Sequence, residues 1–577
     1  MPRSSSQPIA RARTGQAGSG IPALLLGLLL AALTGIPDLR GQPDPTGGGI
    51  VREPLFDGPV LHWDVQVRRT GLEKLRKSGG PWNREQDEDA LATVRAGGQV
   101  WTNVAVHLKG AAGSFRPVDD LPALTLNFGK FQDGQTCQGH RKLHLNNSVQ
   151  DAARMDEVLA SEMFLRSGVP TPRATRALVS LNGRYLGIYV LKGGWDKPFL
   201  KQHFGSSKGN FYDPGFLKDL DTDLERDSGE GIADWADLVA LRQALRVEDP
   251  AQRLEQVGRR LDLDRITTLA ALQILLDDWD GYLRNRNNYR VYHAPDSDRL
   301  VLMPHGMDQL WRNPRGSFTP PLTSLLGRRL FTLPTMADRL SHRMRDLTNT
   351  VFQPGFVDGV FTQAQARLRE RLEQEGRASE FDSVQRAADE TLRRTRQRMA
   401  AFAGQPYQPP QAAQFDNDGR MRLTGWQTMA PGKADPQSTS PVTADDDARV
   451  LRLTATPGEN RTSLQKRLLL PPGLYRFEAR VRTRSVSGPG ASLGVEAGRR
   501  GQRIEEGQAT IQRVTGTREW TALSREISLQ SWGGRRRPGG GPEGGGDSPR
   551  EVVLHAELIG PAGIAEFDPE AFVIHKR

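Results

Sequence analysis

Polar side chains of the types that transfer a phosphoryl group occur in this 577-residue sequence in an order that suits that chemistry. The reaction needs a cation on the phosphates, carboxylate and amide oxygens on magnesium, and a base beside the acceptor hydroxyl. Lys142 lies on the polar face of a predicted strand, Lys142–Asn146, and Glu162 follows on a predicted helix. Helical spacing places Glu162 inward, where it could orient Lys142, and Glu157 on the solvent side. A solvated lysine and a glutamate at a helix end explain the same pattern.

The segment Asp277–Tyr292 follows a predicted apolar helix and is rich in carboxylates and amides. Loops held by rigid elements are common positions for catalytic groups. Asp280 is a candidate base for a substrate hydroxyl, and Asn285 or Asn288 could offer a carbonyl oxygen to magnesium. Spacing alone favours Asn285, five residues after Asp280. The alternative is a polar turn in which Asn and Asp side chains cap the backbone.

A second candidate metal ligand, Asp308, follows the predicted strand Leu300–Met303. An aspartate after a strand also commonly serves as a turn or helix cap, so Asp308 alone is a weak signal. The loop Gly110–Phe115 lies between two predicted strands, and its backbone N–H groups could cover phosphates. A plain turn is an equally good interpretation of that loop.

The elements that would position these residues form a sheet with one helix, then a joint, then a helical region that contains one hairpin. Asn182-Gly183 favours a tight turn between two strands, and Gly193-Gly194 is expected to form a flexible joint. The predicted strands are Val104–Leu108, Leu124–Phe128, Lys142–Asn146, the two halves of Ala177–Leu191, Tyr289–Tyr292 and Leu300–Met303. The predicted helical segments are Asp151–Arg166, Trp235–Leu245, Asp264–Leu276 and the long stretch Phe356–Phe402.

The last third of the chain has a different composition. Residues 406–414 are rich in Pro and Gln and predict a linker. Short alternating segments such as Val450–Ala455 then predict an all-β sandwich over residues 415–577. Within it, the Gly- and Arg-rich tract 533–550 predicts a disordered loop.

The N-terminus and the composition bound the class of protein. Residues 1–41 contain a short apolar run, Ile21–Leu33, which predicts a signal peptide or a retained signal anchor, and residues 42–54 form a linker. The net charge of +10 is spread among acidic residues, and the sequence shows no nucleic-acid recognition module. We therefore expect no nucleic-acid partner. Cys137 is the only cysteine, which excludes an intrachain disulfide and a cysteine-based zinc site.

Two segments, Lys142–Asp196 and Leu275–Trp311, resemble the CotH kinase family, the atypical kinases of the spore coat protein H type. In family order, the resemblance rests on KLHLNNSVQDAARMDEVLASEMFLRSGVPTPR, LNGRYLGIYVLKGGWDKPFL, LLDDWDGYLRNRNNYRVYH and LMPHGMDQLW. It implies a two-lobed atypical protein-kinase-like domain over residues 55–405, with a small β-rich N-lobe and a helical C-lobe. The expected fold class is thus α+β, followed by the all-β sandwich. The resemblance also implies ATP as phosphate donor, Mg²⁺ or Mn²⁺ as metal, and a Ser or Thr of a protein as acceptor.

The resemblance also assigns roles to single residues. It makes Asp280 the catalytic aspartate and prefers Asn288 to Asn285 as the metal-binding amide, because Asn288 precedes a tyrosine as in the family. Lys142 would contact the ATP phosphates, with Glu162 as its partner.

Two positions depart from the family pattern. Relatives often show Pro-Trp-Asp-x-Asp where this chain reads PHGMD, so the earlier acid is Gly306 and Asp308 must take over its role. Many relatives also have an acidic residue at the position of Gly193.

The leading hypothesis is a secreted or cell-envelope kinase that phosphorylates Ser or Thr of an envelope or extracellular protein. The alternative is a catalytically inactive kinase-fold protein with a structural or adhesive role at a surface or matrix. The C-terminal domain loosely resembles carbohydrate-binding modules, so a cell-surface glycan is a further candidate partner; a membrane is one only if the N-terminal anchor is retained. Three tryptophans of this domain could stack on sugars: Trp426, Trp520 and Trp532. Core packing is the expected role of the first two.

Overall fold

The computed structural model describes residues 52–78, 80, 88–111, 113–404, 411–429, 442–443, 449–455, 461–497, 511–529 and 550–577. These residues form a mixed α+β structure, as predicted from the sequence. The predicted signal segment 1–41, the Gly- and Arg-rich tract 533–549 and Trp532 lie outside the described residues. Of the helices in the described part of the chain, none combines the length and the apolar character needed to cross a membrane.

Seven strands near the start of the described chain form a closed β-barrel. Neighbouring strands pair in the order β1-β2-β3-β4-β5-β7-β6, and a parallel pairing of β1 with β6 closes the barrel. The leucines that alternate along β4 and β5 point into its apolar interior. The strands are β1 (His62–Val67), β2 (Ala90–Ala96), β3 (Gln99–Lys109), β4 (Ala123–Asn127), β5 (Lys142–Asn146), β6 (Ala174–Leu181) and β7 (Arg184–Gly193).

Because side chains alternate across a strand, the residues between those leucines lie on the outer face of the barrel. Strand register aligns four of them in one row across β3, β4, β5 and β7. The outer face of these strands therefore carries a row of polar side chains. The four aligned residues are His107, Thr125, His144 and Lys192.

The helical part follows the barrel, and its apolar core is built largely from one buried helix and the helices packed on it. Two short helices precede or follow β1: α1 (Pro54–Asp57) and α2 (Arg69–Lys77). The remaining helices are α3 (Asp156–Arg166), α4 (Lys197–Phe204), α5 (Ala236–Arg246), α6 (Pro250–Arg260), α7 (Leu263–Leu275), α8 (Tyr282–Asn285), α9 (Leu325–Arg329), α10 (Pro334–Thr348), α11 (Pro354–Gln374) and α12 (Ala378–Gly404).

A four-stranded antiparallel sheet lies within the helical part, in the order β11-β10-β8-β9. It contains the hairpin predicted from the sequence, and its central strands are buried. This hairpin carries the segment that precedes β10 and the segment that follows β11. The strands are β8 (Phe211–Asp213), β9 (Glu225–Ser228), β10 (Tyr289–Ala294) and β11 (Arg299–Pro304).

The long helical stretch predicted near residues 356–402 consists of two helices, α11 and α12, separated at Gly376, which has φ +68°. A left-handed residue after a helix is the usual place for glycine, because it has no Cβ to clash. The helices reach back to the barrel, where apolar side chains such as Leu368 pack against Leu178. Glu375 also accepts a hydrogen bond from His62 of β1 at 2.8 Å. This pair of helices therefore joins the barrel to the helical part.

The C-terminal part is all-β, as predicted. The predicted sandwich takes the form of one curved 11-stranded sheet around a single core, because one 25-residue strand pairs with four others along its length. Trp426 is buried in that core, and the guanidinium of Arg482 covers Trp520 at 5.0 Å from the ring centroid. The strands are β12 (Gln411–Ala412), β13 (Arg420–Arg422), β14 (Gln427–Met429), β15 (Val442–Thr443), β16 (Arg449–Thr454), β17 (Arg461–Leu470), β18 (Gly473–Ala497), β19 (Arg513–Leu529), β20 (Arg550–Ile559), β21 (Ile564–Phe567) and β22 (Val573–Lys576).

Arg398 of α12 ties three backbone segments together in the helical core. Its guanidinium donates to the carbonyl oxygens of Ile274 at 2.7 Å, Leu275 at 3.1 Å and Gly316 at 2.5 Å. The first two carbonyls are at the C-terminal end of α7, where helix carbonyls have no partner within the helix. Arg398 thus fixes the point at which the chain leaves α7.

We expect Arg398→Met to lower the free energy of unfolding by about 3 kcal/mol, because buried carbonyl oxygens lose their hydrogen-bond donors. Urea unfolding followed by tryptophan fluorescence measures the change. The control is Arg393→Met in the same helix, where an exposed pair with Glu390 is lost and the expected change is under about 0.5 kcal/mol. Equal effects of the two substitutions would contradict a capping role for Arg398.

Candidate active site

One cavity of about 870 Å³ lies between the outer face of the barrel, the start of α3 and the two segments that flank the β10–β11 hairpin. Four of the predicted site residues line it: Lys142, Asp280, Asn288 and Asp308. Residues far apart in the sequence are therefore brought to one cavity, as the phosphoryl-transfer hypothesis requires. The glycine-bearing loop after β3 also lines the cavity through Gly110, Ala111, Ser114 and Phe115.

The structure places Glu162 elsewhere. Its carboxylate contacts Arg166 at 3.2 Å and Arg173 at 3.5 Å, and Arg173 also pairs with Asp57 of α1. The prediction that Glu157 faces the solvent is wrong, because that side chain is buried and lines the cavity. The structure therefore contradicts Glu162 as the partner of Lys142.

Glu157 instead forms an ion pair with Lys192, with Nζ to Oε1 at 2.6 Å and both side chains almost fully buried. Asn146 donates to the other carboxylate oxygen of Glu157 at 2.6 Å. Burial alone would raise the pKa of Glu157, but the ammonium groups of Lys192 and Lys109 and these hydrogen bonds lower it below its ordinary value. Glu157 is therefore ionised at neutral pH and holds a lysine from strand β7.

The prediction from helical spacing was wrong for Glu157 and Glu162 because α3 is buried on two sides. Met155, Leu159 and Met163 face the helical core, while the first turn of the helix also meets the barrel. A single apolar stripe predicts one buried face of a helix. A charged residue on a second buried face is then wrongly predicted to be exposed to solvent. The overlooked signal is Lys192 itself, a lone lysine in the apolar strand YVLKG.

Asp280 is held by three side-chain amides. Asn285 donates to Oδ1 at 2.5 Å, while Asn287 and Asn288 donate to Oδ2 at 3.1 and 2.9 Å. Asp280 lies two residues before the short helix α8, whose last residue is Asn285. These bonds fix the orientation of the carboxylate at the cavity wall, which a base for an incoming hydroxyl requires.

The two candidate amides have different positions. Asn288 lines the cavity, whereas Asn285 reaches Asp280 from α8. Tyr282 and Tyr289 are buried with ring centroids 4.5 Å apart, so the segment between them is anchored at both ends. This geometry favours Asn288 as the amide available to a ligand in the cavity.

Gly306 and Asn288 lie against each other. Gly306 has φ +55°, and a Cβ placed on it would lie 2.6 Å from Oδ1 of Asn288. The space beside residue 306 is therefore already filled by the Asn288 amide. An acid at this position would require Asn288 to move.

Asp308 follows β11 and lies at the cavity opposite the barrel. Burial, reinforced by the carboxylate of Glu157, raises the pKa of Asp308 to about 7. A carboxyl in that condition binds a cation readily, because the cation removes the cost of burying its negative charge. The neighbouring His305 has its pKa lowered well below the usual range by burial and by nearby cations, and its Nδ1 accepts from Trp195 at 3.2 Å.

The glycines at the end of β7 have a structural role other than the predicted flexible joint. The Gly194 N–H donates to the carbonyl oxygen of Lys142 at 2.9 Å. A Cβ on Gly194 would lie 2.4 Å from the Cβ of Lys142, so only glycine permits this approach. The chain is thus closely packed where it passes from the barrel to α4.

Magnesium is the metal that the family resemblance implies, and the donors at the cavity fit it. Carboxylate and amide oxygens are hard ligands, and magnesium is often held by one or two carboxylates together with substrate phosphates. In the part of the chain that the structure describes, no three His, Cys, Asp or Glu side chains cluster as a self-sufficient metal site. Cys137 is buried, and burial raises the pKa of its thiol to about 12, which excludes it as a ready ligand or nucleophile.

Comparison with known proteins assigns part of the chain to a family. Residues 120–404 match the family described as CotH kinase protein, and this region of the chain belongs to the CotH family. The inner spore coat protein H of Bacillus subtilis (strain 168) is 24% identical over 194 residues, which cover 31% of this chain and 53% of that protein. The chain thus spans about half the length of the curated relative it matches.

Several solved structures share limited similarity with parts of the chain. TmCBM61 in complex with β-1,4-galactotriose is 13% identical and covers 27% of this chain and 91% of its own, with a TM-score of 0.17. A putative sugar binding protein from Bacteroides thetaiotaomicron VPI-5482 is 10% identical and covers 28% of this chain and 85% of its own, with a TM-score of 0.17. A cyclase from Fischerella sp. TAU is 11% identical and covers 28% of this chain and 96% of its own, with a TM-score of 0.18. Scores this low support no conclusion about this chain.

We expect Gly306→Ala to lower the free energy of unfolding by about 2 kcal/mol, because the new methyl group meets Asn288 and the backbone is left-handed. Gly376→Ala is the matched control: its φ of +68° imposes similar strain, but nothing lies within 4 Å of the added Cβ. Urea unfolding of both variants isolates the contact with Asn288. Equal losses of stability would show that this contact contributes nothing.

Proposed function

We propose that the CotH region is a kinase that binds a magnesium nucleotide in the 870 Å³ cavity and phosphorylates Ser or Thr of a protein. The observation that carries the proposal is the meeting of Asp280, Asn288 and Asp308 with barrel lysines at one cavity. Family membership of residues 120–404 supports the same class of reaction.

In this proposal, the barrel with α3 is the small lobe and the helical part is the large lobe of a kinase-like domain. The cavity between them supports this assignment, as does the buried pair of Lys192 and Glu157, which links a strand to the helix beside it. Glu157 then has the role that the sequence pattern gave to Glu162. The curved C-terminal sheet would deliver the kinase to its target, and a glycan ligand for it remains a prediction.

The residues at the cavity have distinct tasks. Asp280 accepts the proton of the acceptor hydroxyl as its oxygen bonds to the terminal phosphorus and the bond to the leaving nucleoside diphosphate breaks. Asn288 and Asp308 would hold the metal, which would supply positive charge to neutralise the phosphate oxygens. The amides of Asn285 and Asn287 keep the Asp280 carboxylate aimed at the hydroxyl.

We also propose that the protein acts at the cell envelope or in a spore coat. The name of its relative, inner spore coat protein H, and the signal-like N-terminal sequence support this location. Fractionation of cells that produce the tagged chain tests it, and recovery from the cytoplasm alone would contradict it.

We expect Asp280→Asn to lower the rate of phosphate transfer at least about 100-fold, because the amide cannot take the hydroxyl proton. The assay follows labelled ATP with magnesium or manganese and extracts of envelope proteins as acceptors. Asp298→Asn, in the exposed turn between β10 and β11, is the matched control and should leave the rate unchanged. Thermal melting of both variants confirms that they fold.

The alternative, a catalytically silent surface protein that keeps the kinase scaffold, is favoured by Gly306, where relatives often carry an acid. The two hypotheses differ in nucleotide binding. A rise in melting temperature with magnesium and ATP supports the kinase, whereas no shift and no incorporated label support the silent scaffold.

A further inference from the structure

A chain of hydrogen bonds links two lysines of the barrel through Glu157. Lys109 of β3 donates from Nζ to Oδ1 of Asn146 at 2.6 Å, and Asn146 donates from Nδ2 to Oε2 of Glu157 at 2.6 Å. Lys192 donates to Oε1 of the same carboxylate at 2.6 Å. Glu157 therefore holds one lysine directly and positions the second through an amide.

These two lysines differ in what they can reach. Lys192 is buried against Glu157, so contact with a ligand would break an ion pair sealed from water. Lys109 lines the cavity, and among the described residues its ammonium donates to the neutral amide of Asn146. Its ammonium keeps unused donor capacity, because a lysine has three N–H groups.

Lys142, the lysine expected to contact phosphates, also lines the cavity but at a different level of the barrel. It is the first residue of β5 and Asn146 is the last, so about 13 Å of strand separates them. Lys142 is paired in register with Asn127, whereas Lys109 is paired with Ala123, at the other end of β4. The two lysines thus serve different regions of the cavity.

Lys109 lies in the same region of the cavity as Asp308, the candidate metal ligand. The carboxylates of Asp308 and Glu157 act on Lys109 electrostatically, as do the cations of Lys192 and Arg290. A phosphate chain between Lys109 and a metal on Asp308 would have positive charge on both sides. This is the arrangement that phosphoryl transfer needs.

Resting on the proposed kinase function, we propose that Lys109, positioned by Asn146 and Glu157, is the lysine that binds the nucleotide phosphates, and that Lys142 is dispensable for this contact. Lys192 has a supporting role, since it balances the charge of the buried Glu157. The sequence pattern missed Lys109 because it ends a strand just before the glycine-bearing loop, where an exposed lysine is commonplace.

The contact between Lys109 and the nucleotide phosphates depends on pH, because Lys109 must be protonated to make it. Burial lowers its pKa to about 8, although Glu157 and Asp308 act in the opposite direction. The charged groups that face Lys109 are Glu157 of α3, Lys192 of β7, Arg290 of β10 and Asp308 after β11; its ammonium also acts on His144 and His305. Lys109 is charged below pH 8, so nucleotide affinity falls as the pH rises through about 8.

The test measures binding of magnesium ADP to the full-length chain by calorimetry. We expect Lys109→Met to weaken binding at least about tenfold, because a charge-assisted hydrogen bond is lost. Lys74→Met, at an exposed lysine of α2 that pairs with Glu88, is the matched control and should leave the dissociation constant unchanged, whereas Lys142→Met tests the rival assignment and should weaken binding far less than Lys109→Met. Lys109→Arg should retain binding and remove the loss of affinity between pH 7.5 and 9.5, because arginine stays charged. Melting curves confirm that each variant is folded.

The outcomes separate this inference from the function on which it rests. No binding of magnesium ADP or ATP by the unmodified chain overturns both. Binding by the unmodified chain that Lys109→Met leaves intact, or that Lys142→Met abolishes, overturns only the assignment of Lys109. An unchanged pH profile in Lys109→Arg does the same.

Discussion

The ion pair of Glu157 and Lys192 is the constraint on which the rest of the site depends. Removing two charges from water costs several kcal/mol for each ion, unless the charges lie close together and their remaining hydrogen-bonding positions are satisfied. The structure meets this condition by placing the first turn of α3 against strand β7 and by filling the second oxygen of Glu157 with Asn146. The position of α3 relative to the barrel is thereby fixed, and so is one wall of the cavity.

The opposite wall depends on backbone shape more than on charge. Asn288 and Gly306 both have positive φ, and their contact joins the segment before β10 to the segment after β11. Asp280 is attached to the same unit through the Asn288 amide. No empty space is therefore left beside Gly306, and the amide that fills it also orients the candidate base.

Local patterns predicted the elements well, because alternation and helical spacing are properties of short segments. The strand Lys142–Asn146 and the hairpin of β10 and β11 lie where the sequence placed them. Closure of the barrel was not predictable, since β1 and β6 are more than 100 residues apart and pair in parallel. Asp280, Asn288 and Asp308 could be predicted as candidates, and they line one cavity, because their loops adjoin clear elements; their roles stay predictions. Glu157 could not, because its burial depends on a contact between two separate parts of the fold.

Six carboxylates line the cavity, but the proposed metal ligands are Asp308 and the amide of Asn288, which has a consequence for how a metal would bind there. Magnesium requires six oxygen ligands in octahedral geometry, and Asp308 with Asn288 supplies only part of that set. The phosphate oxygens of a nucleotide, together with water molecules, would complete it. The cavity contains both cations and carboxylates, so a nucleotide that arrives with its magnesium ion adds less negative charge beside those carboxylates than the nucleotide alone would. The lysines of the barrel wall then have to balance only the phosphate charge that the metal leaves.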